Sequence, residues 1–69
     1  MQKIICQFEQ GDESYRLVYQ EDDQIFLSPY RVQYHRKGGF WDGRKDFKIE
    51  GEARNYFLNC VADCLASGL

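Results

Sequence analysis

The side chains with the widest scope for chemistry in this sequence are three cysteines and a single histidine. Cys60 and Cys64 are four residues apart, Cys6 lies near the start of the chain, and His35 lies in its middle. A Cys₃His set can bind zinc tetrahedrally, and a cysteine beside a histidine can act as a nucleophile. A zinc site and a catalytic thiol are therefore the two chemistries that this residue set allows.

The spacing of these four residues favours packing over chemistry. Structural zinc sites usually take two ligands from one short knuckle, whereas Cys60 and Cys64 fall one helical turn apart on an apolar stripe. Strand alternation places His35 on the opposite side from Tyr34, away from the predicted core. Helical geometry also seldom brings sulfurs at i and i+4 into bonding distance. We expect three reduced core thiols, with no metal, no cofactor and no catalytic residue.

Other catalytic constellations are missing from the sequence as well. Asp12 and Glu21–Asp23 fall in predicted turns, where water leaves carboxyl groups with ordinary properties. A chain of 69 residues has little loop to spare for a deep pocket. No glycine-rich loop joins a strand to a helix, as a phosphate cradle would require. The sequence thus predicts a protein that is not an enzyme.

The elements that position these residues follow from hydrophobic periodicity. Strands are predicted at about 2–9, 14–20, 24–36 (broken at Ser28–Pro29) and 44–49, and a helix at about 52–66. Consecutive strands followed by one helix predict a single domain over residues 1–69 with an α+β, two-layer fold. In it an antiparallel meander sheet of three to four strands packs on one C-terminal amphipathic helix.

The same periodicities predict which side chains face the core. On the first strand these are Ile4, Cys6 and Phe8, and on the last strand Phe47 and Ile49. On the helix they are Ala53, Tyr56, Phe57, Cys60, Val61, Cys64 and Leu65. Two turn signals, Gly38-Gly39 and Asp42-Gly43, compete to close the last hairpin, and alternation does not choose between them.

Composition indicates a cytoplasmic protein that does not associate with membranes. No apolar run approaches the length needed to span a bilayer, and residues 1–6 are too short and too polar for a signal peptide. The odd number of cysteines fits a reducing compartment better than a disulfide-stapled secreted scaffold.

Charge is polarised along the chain, although the net charge is only −2. Residues 1–30 carry a balance of −4, whereas residues 31–48 carry +4 and interleave basic with aromatic side chains. The candidate binding residues in this segment are Tyr30, Arg31, Tyr34, His35, Arg36, Lys37, Trp41, Arg44 and Lys45. Alternation puts Arg31, Gln33 and His35 on the sheet face away from the helix. A single helix leaves that face uncovered, and Ile5 and Val18 are expected to share it.

Two functions from different classes fit this segment. The first is a non-enzymatic regulator or inhibitor that acts by protein–protein contact, of the kind that phages and mobile elements encode, with Trp41, Tyr34 and Arg31 among its anchors. The alternative is a nucleic-acid-binding module that holds single-stranded DNA or RNA on the basic, aromatic hairpin of residues 30–48. Overall acidity opposes a polyanion and ranks the protein partner first. Homodimerisation through the uncovered face or an edge strand is compatible with both.

One segment resembles a known family. Residues Gly43-Arg44-Lys45-Asp46-Phe47-Lys48-Ile49, followed by an amphipathic helix, are similar to the last strand and helix of the positive-cofactor-four group. Those proteins are small coactivators that bind single-stranded DNA and pack a four-stranded sheet on a helix. The resemblance implies the same sheet-and-helix fold and supports the nucleic-acid alternative. The acidic turn at Glu21–Asp23 and the break at Ser28–Pro29 are not part of that pattern.

Overall fold

The structure is a computed structural model that describes residues 2–20 and 28–67. The described residues form a four-stranded antiparallel meander, in the order β1-β2-β3-β4, with one helix on one of its faces. The elements are β1 Gln2–Gln10, β2 Glu13–Gln20, β3 Tyr30–Arg36, β4 Asp42–Phe47 and α1 Glu50–Ser67. The predicted α+β fold is confirmed. The predicted turn at Glu21–Asp23 and positions 24–27 of the predicted third strand lie outside the described residues.

The core lies between the sheet and the helix. Leu17 of β2, Val32 of β3, and Ala53 and Phe57 of α1 form its buried centre. Partly buried apolar side chains surround that centre: Ile5, Cys6, Phe8, Tyr15, Tyr30, Phe47, Tyr56 and Val61. Five of these eight are aromatic, and large rings let a short chain bury enough area to fold.

Glycine conformation decides where the last hairpin turns. Gly38 has a φ of 88° and the amide of Gly39 donates to the carbonyl of Arg36 at 2.8 Å, so Gly38-Gly39 closes the hairpin. The competing pair, Asp42-Gly43, lies inside β4. The amide of Lys37 also donates to the carbonyl of Asp12 at 2.7 Å, which ties this turn to the β1–β2 hairpin.

A β-bulge in β1 corrects the predicted faces of two isoleucines. Ile4 pairs with Val18 and Cys6 pairs with Leu17, so Ile5 is the extra residue between them. Because a bulge interrupts the period of two, Ile5 packs against the core while Ile4 is 52% exposed. The prediction that Ile4 faces inward and Ile5 outward was wrong, and the bulge is the physical reason.

The junction between β4 and α1 corrects a second prediction. The strand ends at Phe47, and the amide of Ala53 donates to the carbonyl of Ile49 at 3.2 Å, so Ile49 precedes the first helical turn. Its side chain is 59% exposed instead of facing the core. Glu50 and Glu52 occupy the first turn, where the helix dipole favours anions.

The end of the predicted helix stripe differs as well. Cys64 lies against the sheet, with its Sγ 3.6 Å from Glu13 Oε2. Leu65, which is rotated by about 100° from Cys64 around the helix axis, is 49% exposed. Leu65 therefore does not belong to the core, although Ala53, Phe57 and Cys64 are buried as predicted.

Candidate binding surface

The structure distributes the candidate binding residues over three parts of the molecule. We call the sheet face opposite the helix the open face, and residues 36–40, which include the β3–β4 turn, the hairpin tip. Arg31, His35 and Trp41 belong to the open face, Tyr30, Tyr34, Arg44 and Lys45 to the helix side of the sheet, and Arg36 and Lys37 to the hairpin tip. The predicted residues therefore do not form one patch.

A compact group on the open face, the Trp41 cluster, consists of Arg16, Gln33, His35 and Trp41. Arg16 Nε donates to Gln33 Oε1 at 2.6 Å, and Arg16 Cζ lies 4.0 Å from the centroid of the Trp41 ring. The His35 ring centroid is 4.9 Å from that of Trp41. Gln33 is buried, and burial lowers the pKa of the Arg16 guanidinium. The hydrogen bond and both ring contacts hold the indole in a defined orientation.

The remainder of the open face is covered by its own polar side chains. Arg31 Nε donates to Asp46 Oδ1 at 2.8 Å, and Gln20 Nε2 donates to Gln2 Oε1 at 2.7 Å. Val18 is 0% exposed although no second layer lies above it, and its cross-strand partners on this face are Ile4 and Arg31. Val18 shares this face as expected but is not exposed on it, whereas the expectation for Ile5 was wrong because Ile5 packs against the core. Ile4 is the large apolar side chain that it exposes.

A second bulge carries two cations to the helix side. Val32 pairs with Lys45 and Gln33 pairs with Gly43, so Arg44 is an extra residue in β4. Arg44 Cζ lies 4.6 Å from the Tyr34 ring centroid. Lys45 Nζ lies 5.4 Å from the ring centroid of Phe47 and 5.9 Å from that of Tyr56. Both residues remain exposed, so their charges face solvent above aromatic rings.

Tyr34 is engaged within the fold. Its hydroxyl donates to Glu13 Oε1 at 2.9 Å, and this hydrogen bond raises the pKa of Tyr34. Its ring centroid is 5.0 Å from that of Tyr15. The Cys64 thiol approaches the other Glu13 oxygen. Tyr34 therefore links β3 to β2, Glu13 in turn contacts the helix through Cys64, and these interactions identify a structural role for Tyr34.

Among the residues that the structure describes, the most exposed aromatic side chain is one that the candidate set omitted. Phe40 is 90% exposed, directly after the Gly38-Gly39 turn. Arg36 and Lys37, on the other side of the turn, are exposed as well. Phe40 follows a glycine pair and lies between two strands, so it belongs to the core-facing positions of neither strand. That position in the sequence could have predicted its exposure.

The three thiols are at least partly buried, and Cys64 also lies against the Glu13 carboxylate. Burial raises the pKa of Cys6, Cys60 and Cys64. His35 lies on the open face, on the other side of the sheet from Cys64. Within residues 2–20 and 28–67, no three His, Cys, Asp or Glu side chains are grouped so that they could hold a metal ion, and no pocket of ligand size is present.

These raised thiol pKa values make folding stability depend on pH. In the unfolded chain the thiols ionise around their ordinary value of 9.0, whereas the folded protein keeps them protonated to higher pH. The unfolded state then binds fewer protons, so the free energy of unfolding is unaffected below that value and decreases as pH rises above it. Urea unfolding between about pH 8 and 10 should show this decrease.

The Cys60→Ala variant is the matched control for this pH dependence. Cys60 is only partly buried, so the variant should fold, and its stability should fall less steeply above pH 9.0 because one titrating thiol is missing. A wild-type stability that stays constant or increases across that range would contradict the burial of the thiols.

Comparison with protein-family models, with curated proteins and with solved structures finds no match to this chain. The similarity to the positive-cofactor-four group thus remains a resemblance in sequence pattern. Among the described residues, no helix combines the length and the apolar character needed to cross a membrane.

Proposed function

We propose that this chain is a small non-enzymatic binding protein that acts by protein–protein contact, as a regulator or inhibitor. The observation that carries the proposal is the hairpin tip, where Phe40 presents 90% of its surface to solvent. A few large side chains, aromatic ones prominent among them, dominate the energetics of protein interfaces. A fully exposed phenylalanine on a glycine turn is such an anchor in the absence of its partner.

The Trp41 cluster orders the hairpin next to Phe40. Trp41 directly follows Phe40, and its ring is held by Arg16 at 4.0 Å and by His35 at 4.9 Å. A hairpin that is already ordered loses less conformational entropy on binding than a mobile loop would. Trp41 and Arg16 thus contribute through preorganisation of the tip.

The aromatic contacts favour a protein partner over single-stranded nucleic acid. Single strands bind to proteins by stacking successive bases on aromatic rings with free faces. Within residues 30–48, every aromatic side chain except Phe40 is paired with another ring, with centroids 4.9–5.4 Å apart. The pairs are Tyr19–Tyr30, Tyr15–Tyr34, His35–Trp41 and Phe47–Tyr56. Arg16, Arg44 and Lys45 approach further ring faces. An array for base stacking would have to displace these contacts.

Affinity capture with matched variants tests the proposal. Immobilised wild-type protein should retain a protein from a lysate of the cells that produce it, and Phe40→Ala should retain much less. Leu58→Ala is the control, because Leu58 is an apolar side chain that is 59% exposed on the helix. Equal retention by all three proteins, or retention of nothing above background, would count against the hairpin tip as a binding site.

The nucleic-acid alternative has its own test. Trp41 is the single tryptophan, so its fluorescence reports on the centre of the basic segment. Titration with oligothymidine at low ionic strength should leave this fluorescence unchanged. Quenching that disappears as salt is added would instead identify phosphate contacts and overturn the protein-binding proposal.

A further inference from the structure

Charge around the hairpin tip restricts the chemistry of a partner. Arg36 and Lys37 are exposed within the tip, and Arg44 and Lys45 are exposed on β4 behind it. The acidic side chains nearby are Asp12, Asp42 and Glu13, of which Glu13 accepts hydrogen bonds from Tyr34 and Cys64. Within residues 36–40 the charged side chains are therefore both cations, Arg36 and Lys37, and Asp12 and Asp42 flank them.

The shape of the tip restricts the partner further. Phe40 projects from a turn whose backbone is set by Gly38, with φ 88°, and by the 2.8 Å hydrogen bond from Gly39 to Arg36. A single exposed ring on a convex turn is buried well only by a concave apolar site, since a flat surface would leave most of the ring in contact with water.

We propose that the tip binds a protein surface that has an apolar pocket for Phe40 and acidic residues around that pocket. This inference rests on the proposed function and adds the chemistry of the partner to it. Carboxylates at the pocket rim complement Arg36 and Lys37, which accelerates encounter and sets orientation, while the buried ring supplies most of the affinity. A single unpaired ring beside Arg36 and Lys37 suits one apolar pocket better than a run of stacked bases.

The side chains that are already paired within the fold indicate which part of the surface the partner contacts. Arg31 is paired with Asp46, toward the other end of β4 from the tip, so that part of the open face has its charges compensated within the fold. Lys48 follows the end of β4 that is remote from the hairpin tip, since Phe47 pairs with Tyr30. The partner should therefore contact residues 36–40 and the neighbouring cations of β4, and leave Lys48 in solvent.

Photocrosslinking tests this inference on the full chain. With p-benzoyl-L-phenylalanine in place of Phe40, irradiation in a lysate of the producing cells should label a protein at an apolar residue that has Asp or Glu nearby. The same replacement at Leu58 should not label that protein. With the labelled protein purified, Phe40→Ala should weaken binding at least about tenfold.

Charge variants separate the acidic rim from the pocket. The double variant Arg36→Glu, Lys37→Glu should slow association at low salt at least about tenfold, and wild-type association should slow as salt is added. Lys48→Glu should leave association nearly unchanged. Binding that needs Phe40 but ignores salt and the double variant would overturn the acidic surface and leave the proposed function standing. Absence of any labelled protein, or binding of oligothymidine, would overturn both.

Discussion

Phe57→Ala should lower the free energy of unfolding by about 3–5 kcal/mol. Phe57 is 5% exposed and belongs to the buried centre with Leu17, Val32 and Ala53. Truncation removes a large apolar side chain from water-excluded packing and leaves a cavity that the rigid sheet cannot close. At about 0.05–0.15 kcal/mol per residue, a domain of 69 residues is stable by about 3–10 kcal/mol, so this loss should remove a large part of its stability.

Leu58→Ala is the control for that variant, since it truncates the adjacent helical residue. Leu58 is 59% exposed, so its loss should change stability by no more than about 0.5 kcal/mol. Urea denaturation followed by circular dichroism measures both variants on the same scale. Similar midpoints for the two would mean that α1 packs on the sheet through a different face.

The identity of the buried helical face could be predicted because it depends on local periodicity. Ala53 and Phe57 are one turn apart, and the recurrence of apolar residues every three or four positions marks a single stripe. The same argument fails at Leu65, where the stripe continues but Cys64 takes the position against the sheet. How far a helix extends over its sheet depends on the strands beneath it, and periodicity within the helix does not contain that information.

Strand faces could be predicted only between bulges. Leu17 and Val32 follow the alternation, whereas the bulges at Ile5 and Arg44 shift it by one residue. A bulge is a property of two paired strands, so neither strand alone reveals it. The choice of Gly38-Gly39 over Asp42-Gly43 is non-local in the same way, because the amide of Lys37 bonds to Asp12 in another hairpin.

The candidate binding segment was predictable as a segment but not as a surface. Its basic and aromatic composition can be read from the sequence, yet in the fold Arg31 lies on the open face and Arg44 on the helix side. Tyr34 is of a residue type that often anchors interfaces, but its contacts within the fold are those of a structural residue. Phe40 could be ranked only after the turn was located, since exposure at a tip follows from the pairing of β3 with β4.

Val18→Thr should lower the free energy of unfolding by about 1–3 kcal/mol, and it tests how the open face excludes water. The two side chains have nearly the same shape, so the substitution introduces a hydroxyl without creating a cavity. Val18 is 0% exposed, so a hydroxyl there would lose its hydrogen bonds to water.

Ile4→Thr is the matched control, because Ile4 pairs with Val18 across β1 and β2 and is 52% exposed. Water can reach a hydroxyl at that position, so the cost should stay near about 0.5 kcal/mol, mostly from lost apolar contact. If Val18→Thr lowered the free energy of unfolding as little as Ile4→Thr, water would reach the side chain at position 18. The open face would then be a hydrated surface that a partner could desolvate at little cost. The larger cost that we expect means that the side chains around Val18 already act as its second layer. Binding free energy would then come from elsewhere on the molecule, and Phe40 at the hairpin tip has the largest exposed fraction among the large apolar side chains of residues 2–20 and 28–67.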